Sequence, residues 1–118
     1  VSHYVFVYGT LKRGFCRDHY MRNARFVDQA RTESGYLLFD VGEYPAMIRH
    51  ETGERIHGEL YEVEPEMWSV LDEVEGVDVD LYERTRVQLE PPYDQLPVQT
   101  YLYLRSITGL RCCGTFWP

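Results

Sequence analysis

Cysteine is scarce in this chain: Cys16, Cys112 and Cys113 are the only three in 118 residues. An odd number with two neighbours makes a poor disulfide framework. Reduced thiols, and with them a cytoplasmic setting, are therefore the expectation. No C-x-x-C pair exists and the four histidines are scattered, which argues against a zinc site; no metal or other cofactor is expected. No apolar run approaches the roughly 20 residues that a membrane helix needs, and no charged-then-apolar leader pattern opens the chain. Positive charge is also in short supply. Twelve Lys and Arg stand against 19 Asp and Glu, for a net charge of -7. A nucleic-acid binder normally carries a basic face, so no such partner is expected, although Lys12, Arg13, Arg17, Arg22 and Arg25 lie close together. The basic residues within 15–31 read as a solvated face. There is no G-x-S-x-G nucleophile elbow, no internal repeat and no low-complexity tract.

What is present is aromatic and apolar. Ten tyrosines, five phenylalanines and two tryptophans, within 44% hydrophobic residues, suffice for the core of one domain and a pocket. Tyr4 to Tyr8 reads as a strand, and it runs into Gly9-Thr10-Leu11-Lys12-Arg13-Gly14. The interval from Gly9 to Gly14 copies the first half of a P-loop, but Phe15-Cys16 follow where Lys-Ser or Lys-Thr would be required. Nucleotide binding of that kind is excluded. Two readings of the loop stay open: an ordinary glycine turn, or a turn whose backbone N–H groups hold a small anion.

Further along, residues 15–31 suggest a poorly patterned helical or irregular segment. Strands are expected at 36–39, 46–48, 56–63, 82–89 and 98–104, with turns between them and the tail 109–118 packing as a cover. Pro65 marks a helix start, supported by Glu64 and Glu66 at its positive end. Met67, Leu71 and Val74 line its buried face and Gly76 stops it. Five to seven short strands with one clear helix give an α+β fold with a curled or closed sheet.

The helix ends on Leu71-Asp72-Glu73-Val74-Glu75-Gly76. Three carboxylates crowd the negative end of a helix dipole, where a helix built only for stability would carry Lys or Arg. Such placement raises a carboxyl pKa toward the range of a general base or acid. The plainer alternative is a solvated acidic helix end. Cys16 with His19 is a weak candidate for a nucleophile pair, and His57 reads as structural.

Taken together, several stretches resemble the γ-glutamylcyclotransferase-like (AIG2-like) family, nearest its small γ-glutamylamine cyclotransferase members. They are Tyr8-Gly9-Thr10-Leu11-Lys12-Arg13-Gly14, Tyr44-Pro45-Ala46, Gly58 to Val63, Leu71-Asp72-x-x-Glu75-Gly76, Tyr82-x-Arg84-Thr85 and Val98 to Tyr103. The resemblance covers nearly the whole chain in order and implies one domain over 1–118, a small mixed β-barrel with flanking short helices. It implies a γ-glutamyl amide as small-molecule substrate, cyclised to 5-oxoproline with release of an amine and no cofactor. It implies Glu75 as catalytic general base and acid, with Tyr8, Gly9, Thr10, Leu11 and Tyr82 binding substrate, and no role of that kind for Asp72 or Glu73. A second reading is a non-catalytic small-molecule-binding or interaction domain on the same fold.

Overall fold

The apolar run at the start of the chain is unbroken because both of its faces are covered. In a computed structural model, which describes residues 2–117, β1 (His3–Val7) lies at the centre of a five-stranded sheet. Its neighbours are β5 (His57–Val63), antiparallel, and β7 (Val98–Tyr103), parallel. Two antiparallel edge strands complete the sheet in the order β2-β5-β1-β7-β6: β2 (Arg25–Arg31) and β6 (Tyr82–Arg86). A second sheet of three strands has β3 (Tyr36–Asp40) between β4 (Pro45–Arg49) and β8 (Arg111–Gly114). The single α-helix among the described residues is α1 (Met67–Val74), accompanied by 3₁₀ turns at Asp18–Met21 and Val77–Val79.

The alternating side chains of β1 divide the core in two. Phe6 joins Leu38, Met47, Ile56, Leu60, Val98 and Leu102 between the two sheets. Val5 and Val7 join Tyr61, Val63, Trp68, Leu71 and Tyr101 beneath α1. A strand covered on both faces needs no polar alternation. This also explains β5, whose two sides are both mixed in sequence. Gly58 leaves room for the Phe6 ring. Glu59 on the other face is buried but satisfied, accepting from the Arg13 N–H at 2.9 Å and the Tyr61 hydroxyl at 3.0 Å.

A methyl group at Gly58 would lie 2.5 Å from the Val7 carbonyl oxygen and 2.6 Å from Phe6 Cζ. The first of these is backbone of the neighbouring central strand and has nowhere to go. Gly58→Ala should therefore destabilise the fold by about 1–3 kcal/mol, read as a lower urea midpoint at unchanged m-value.

The α+β class stands, but with eight strands among the described residues rather than five to seven. The two sheets face each other without closing into a barrel. Residues 25–31, expected to be helical or irregular, form the edge strand β2, whose exposed polar positions hide the alternation. The tail contributes β8, paired to β3, and the Thr115 carbonyl accepts from His57 N–H at 2.8 Å; Pro118 lies outside the described residues. Among the basic residues of 15–31, Arg22, Arg25 and Arg31 are exposed and Arg17 is half-buried; the loop before them departs from that pattern at Lys12. Lys12 is buried, its Nζ donating to the Trp117 carbonyl at 2.6 Å and lying over the rings of Phe116 and Phe15. Burial pulls its pKa down, with Glu59 acting in the opposite sense. Arg13 stacks on Phe26, and Arg25 pairs with Glu62. No helix among the described residues is long and apolar enough to cross a membrane.

Candidate active site

Because β1 and β7 run parallel, their carboxyl ends leave the sheet on the same side. Tyr8 to Leu11 continue from one and Thr100-Tyr101 lie on the other. Between them opens a cavity of about 90 Å³, lined by both stretches and closed by Tyr44-Pro45, Leu81-Tyr82, Arg17 and the helix end Val74-Glu75-Gly76. All six residues expected at the site (Tyr8, Gly9, Thr10, Leu11, Glu75 and Tyr82) line this one cavity.

The loop side is built for a backbone approach. Lys12 N–H closes a turn onto the Gly9 carbonyl at 3.0 Å, and Arg17 N–H binds the Thr10 carbonyl at 2.9 Å. With the carbonyls so engaged, the N–H groups of Gly9, Thr10 and Leu11 donate to no protein acceptor among the described residues. Consecutive unengaged N–H groups at a cavity wall are an anion-binding surface. Gly9 is required for its closeness to Pro45: a Cβ there would stand 2.6 Å from Pro45 Cγ.

The helix side delivers Glu75. It is the last residue of right-handed helical backbone, with its N–H on the Leu71 carbonyl at 2.9 Å. Gly76 then turns left-handed at φ 71° and reverses the chain. The three acids at this helix end separate. Glu73 is exposed. Asp72 turns to the sheet, accepting from the Tyr101 hydroxyl at 2.7 Å and lying 3.6 Å from Arg84 Nε. Glu75 alone lines the cavity, partly buried, and burial raises its pKa to about 7, with Arg17 pulling it back.

The tyrosines are fixed rather than reactive. Tyr8 donates to the Tyr101 carbonyl at 2.6 Å, and Tyr82 donates to the Pro45 carbonyl. Both hydroxyls are pushed above the usual tyrosine range, first by burial, with Glu75 adding to it. Each therefore stays neutral and shapes the wall. The weaker candidates fall outside: Cys16 is exposed, His19 stacks on Tyr20, and His57 packs against Phe116, none of them lining the cavity. Sequence reasoning passed over Arg17, the single cation of the lining among the described residues, and gave no role to Tyr101. Arg17 sits in a segment without periodicity, so no pattern flagged it.

The cavity can thus hold a small molecule with an anionic end on neutral donors and a proton-exchanging end at one carboxyl. Known proteins share this frame. A family model described as "Gamma-glutamyl cyclotransferase, AIG2-like" matches residues 5–113. A Vibrio cholerae protein assigned as a gamma-glutamylcyclotransferase is 34% identical, over 97% of this chain and 95% of its own. Zebrafish gamma-glutamylaminecyclotransferase A is 37% identical over 73% of this chain and 58% of its own, so the chain spans little more than half of that protein. The crystal structure of a mouse AIG2-like protein superposes with a TM-score of 0.78 at 27% identity, covering 98% of this chain and 88% of that one. A family model that takes in most of the chain, with relatives of this identity and coverage, places it plainly: the chain belongs to the γ-glutamyl cyclotransferase, AIG2-like family.

Proposed function

We propose that residues 1–118 act as one γ-glutamyl cyclotransferase domain, closing a γ-glutamyl amide into 5-oxoproline and releasing a free amine, with Glu75 as the proton carrier. The observation that carries this reading is the placement of Glu75. One carboxyl, raised to about 7, lines the same cavity as three backbone N–H groups that have no acceptor among the described residues.

The chemistry needs little more. Nucleophile and electrophile belong to one substrate molecule, so folding it back removes much of the entropic barrier. The N–H groups of Gly9, Thr10 and Leu11 hold the glutamyl α-carboxylate and the oxygen that becomes negative on attack. Ionised Glu75 takes a proton from the α-ammonium. The freed amine attacks the γ-carbonyl carbon, and the C–N bond to the leaving amine breaks once that nitrogen is protonated. Over the reaction two protons leave the α-nitrogen and two reach the leaving nitrogen, so a single carboxyl shuttling between them ends as it began. Tyr8 and Tyr82, their hydroxyl protons committed to backbone carbonyls, hold the glutamyl chain in its folded shape.

The test is 5-oxoproline release from a panel of γ-glutamyl amides, followed against pH. Since the base form of Glu75 is the active one, kcat/KM should fall about tenfold per pH unit below an inflection. That inflection should lie near 7. An inflection at the ordinary glutamate value, or no product from any amide, overturns the assignment. Tight binding of 5-oxoproline without turnover across the panel would instead mark a non-catalytic binding domain.

A further inference from the structure

Among the described residues the lining of the cavity contains one cation, Arg17. Its backbone N–H binds the Thr10 carbonyl at 2.9 Å, and its Nη1 donates to the Val74 carbonyl at 3.3 Å. It is therefore pinned between the loop that holds the anionic end and the residue that immediately precedes Glu75. Among the described residues it forms no ion pair, which it shares with Arg22, Arg49, Arg86 and Arg105, but of these five Arg17 alone lines the cavity. Most of the guanidinium donors remain for something that enters the cavity. A guanidinium's planar fork matches a carboxylate.

We propose that Arg17 is a specificity-determining residue that receives a carboxylate carried by the leaving amine, so that γ-glutamyl amides of α-amino acids are preferred over those of simple amines. This rests on the cyclotransferase reading above. Under that reading the glutamyl α-carboxylate lies on the N–H groups of the loop, and the scissile nitrogen lies at Glu75. A group that reaches Arg17 from there has to start at the scissile nitrogen and travel only a short way. The carboxylate of an α-amino acid is only two bonds from its nitrogen, which keeps it near the helix end where Arg17 holds the Val74 carbonyl. A simple amine offers nothing to the guanidinium, and an amine whose carboxylate lies at the far end of a long chain would carry it past Arg17. A γ-glutamyl amino acid has two carboxylates, and the cavity has two separate features that hold one.

The proposal is tested with γ-glutamylalanine and γ-glutamylethylamine, which differ only in the leaving-group carboxylate. The wild-type protein should turn over the alanine compound with a kcat/KM about tenfold higher or more, mostly through KM. Arg17→Gln should reduce this ratio to within about threefold, and Arg17→Lys should restore part of it. The variant also removes a positive charge beside Glu75 and so moves the pH profile upward for both compounds; the ratio cancels that shared effect. Calorimetric affinities of both compounds for Glu75→Gln, with and without Arg17→Gln, read the same ratio without turnover. A ratio that survives Arg17→Gln, or no preference in the wild type, overturns the proposal. If neither compound yields 5-oxoproline, the cyclotransferase reading fails, while an Arg17-dependent affinity ratio would still sustain a carboxylate site.

Discussion

Glu75→Gln should remove about 10²–10⁴-fold of the 5-oxoproline-forming activity and at the same time make the protein more stable at neutral and alkaline pH. The loss follows from the amide, which keeps the shape and surroundings of the carboxyl but cannot take a proton from the α-ammonium. The gain follows from linkage. Folding raises this carboxyl from an ordinary value of 4.5 to about 7, so the unfolded chain gives up the proton more readily than the folded one. Below pH 4.5 the group is protonated in both states and has no effect. Between 4.5 and 7 the folded state loses ground progressively, and above 7 the whole penalty is present. It amounts to at most about 3 kcal/mol, and to less where water in the cavity reaches the partly exposed carboxyl. Thermal unfolding at pH 8 should show Glu75→Gln melting a few degrees above the wild type. At pH 4.5 the difference should shrink to little or nothing. A variant that is inactive and also less stable at pH 8 would mean that Glu75 holds the fold, not the reaction. Glu75→Asp separates position from charge. It keeps the carboxylate but withdraws it by one methylene, and a displacement of about 1 Å can cost on the order of 10²-fold.

The proposed opposition between activity and stability accounts for the mark that the candidate site leaves in the sequence. A run of acids at the negative end of a helix contradicts local preference, and such contradictions gather where function outweighs stability. Pro65 before the helix and Gly76 after it framed the run, so the position of Glu75 at the end of α1 could be read directly. The central strand was equally legible because Tyr4 to Tyr8 is apolar on both faces. Elements at the edges were not. In β2 the exposed positions Arg25, Asp28, Gln29 and Arg31 leave too little apolar alternation to distinguish a strand from a loop. Strand β8 is four residues long and exists because β3 offers it an edge. Tertiary assignments were the least legible. Lys12 and Arg17 are both basic residues in one polar stretch, yet one is buried under Phe116 and the other enters the cavity. Nothing local distinguishes them, because the partners that decide each fate come from the far end of the chain or from α1.

The same limit applies to Asp72, where the expected result is the opposite of that at Glu75. Asp72→Ala should cost about 3 kcal/mol of stability, which at this chain length lowers Tm by roughly 10 °C or more. The carboxylate accepts from the Tyr101 hydroxyl at 2.7 Å and stands 3.6 Å from Arg84 Nε. Arg84 in turn leans over the Trp68 ring at 4.4 Å, with its Nη1 buried and without a hydrogen-bond partner. Removing Asp72 leaves a hydroxyl without an acceptor and a half-enclosed guanidinium without its counter-charge, and unpaired groups of this kind cost more than the lost bond itself. The pair is not fully buried, with 28% of each side chain exposed, so the cost should fall below that of a sealed ion pair. Asp72→Asn should lie in between, since its amide oxygen can still accept from Tyr101 while the charge is gone. The decisive measurement is a double-mutant cycle with Arg84→Met. If the guanidinium is what suffers, Asp72→Ala should cost clearly less in the Arg84→Met background than in the wild type, with a coupling of about 1 kcal/mol or more. Additive losses would assign the whole effect to the Tyr101 hydroxyl. The two carboxylates at one helix end differ by orientation: Asp72 turns to Tyr101 on β7 and Arg84 on β6, while Glu75 lines the cavity.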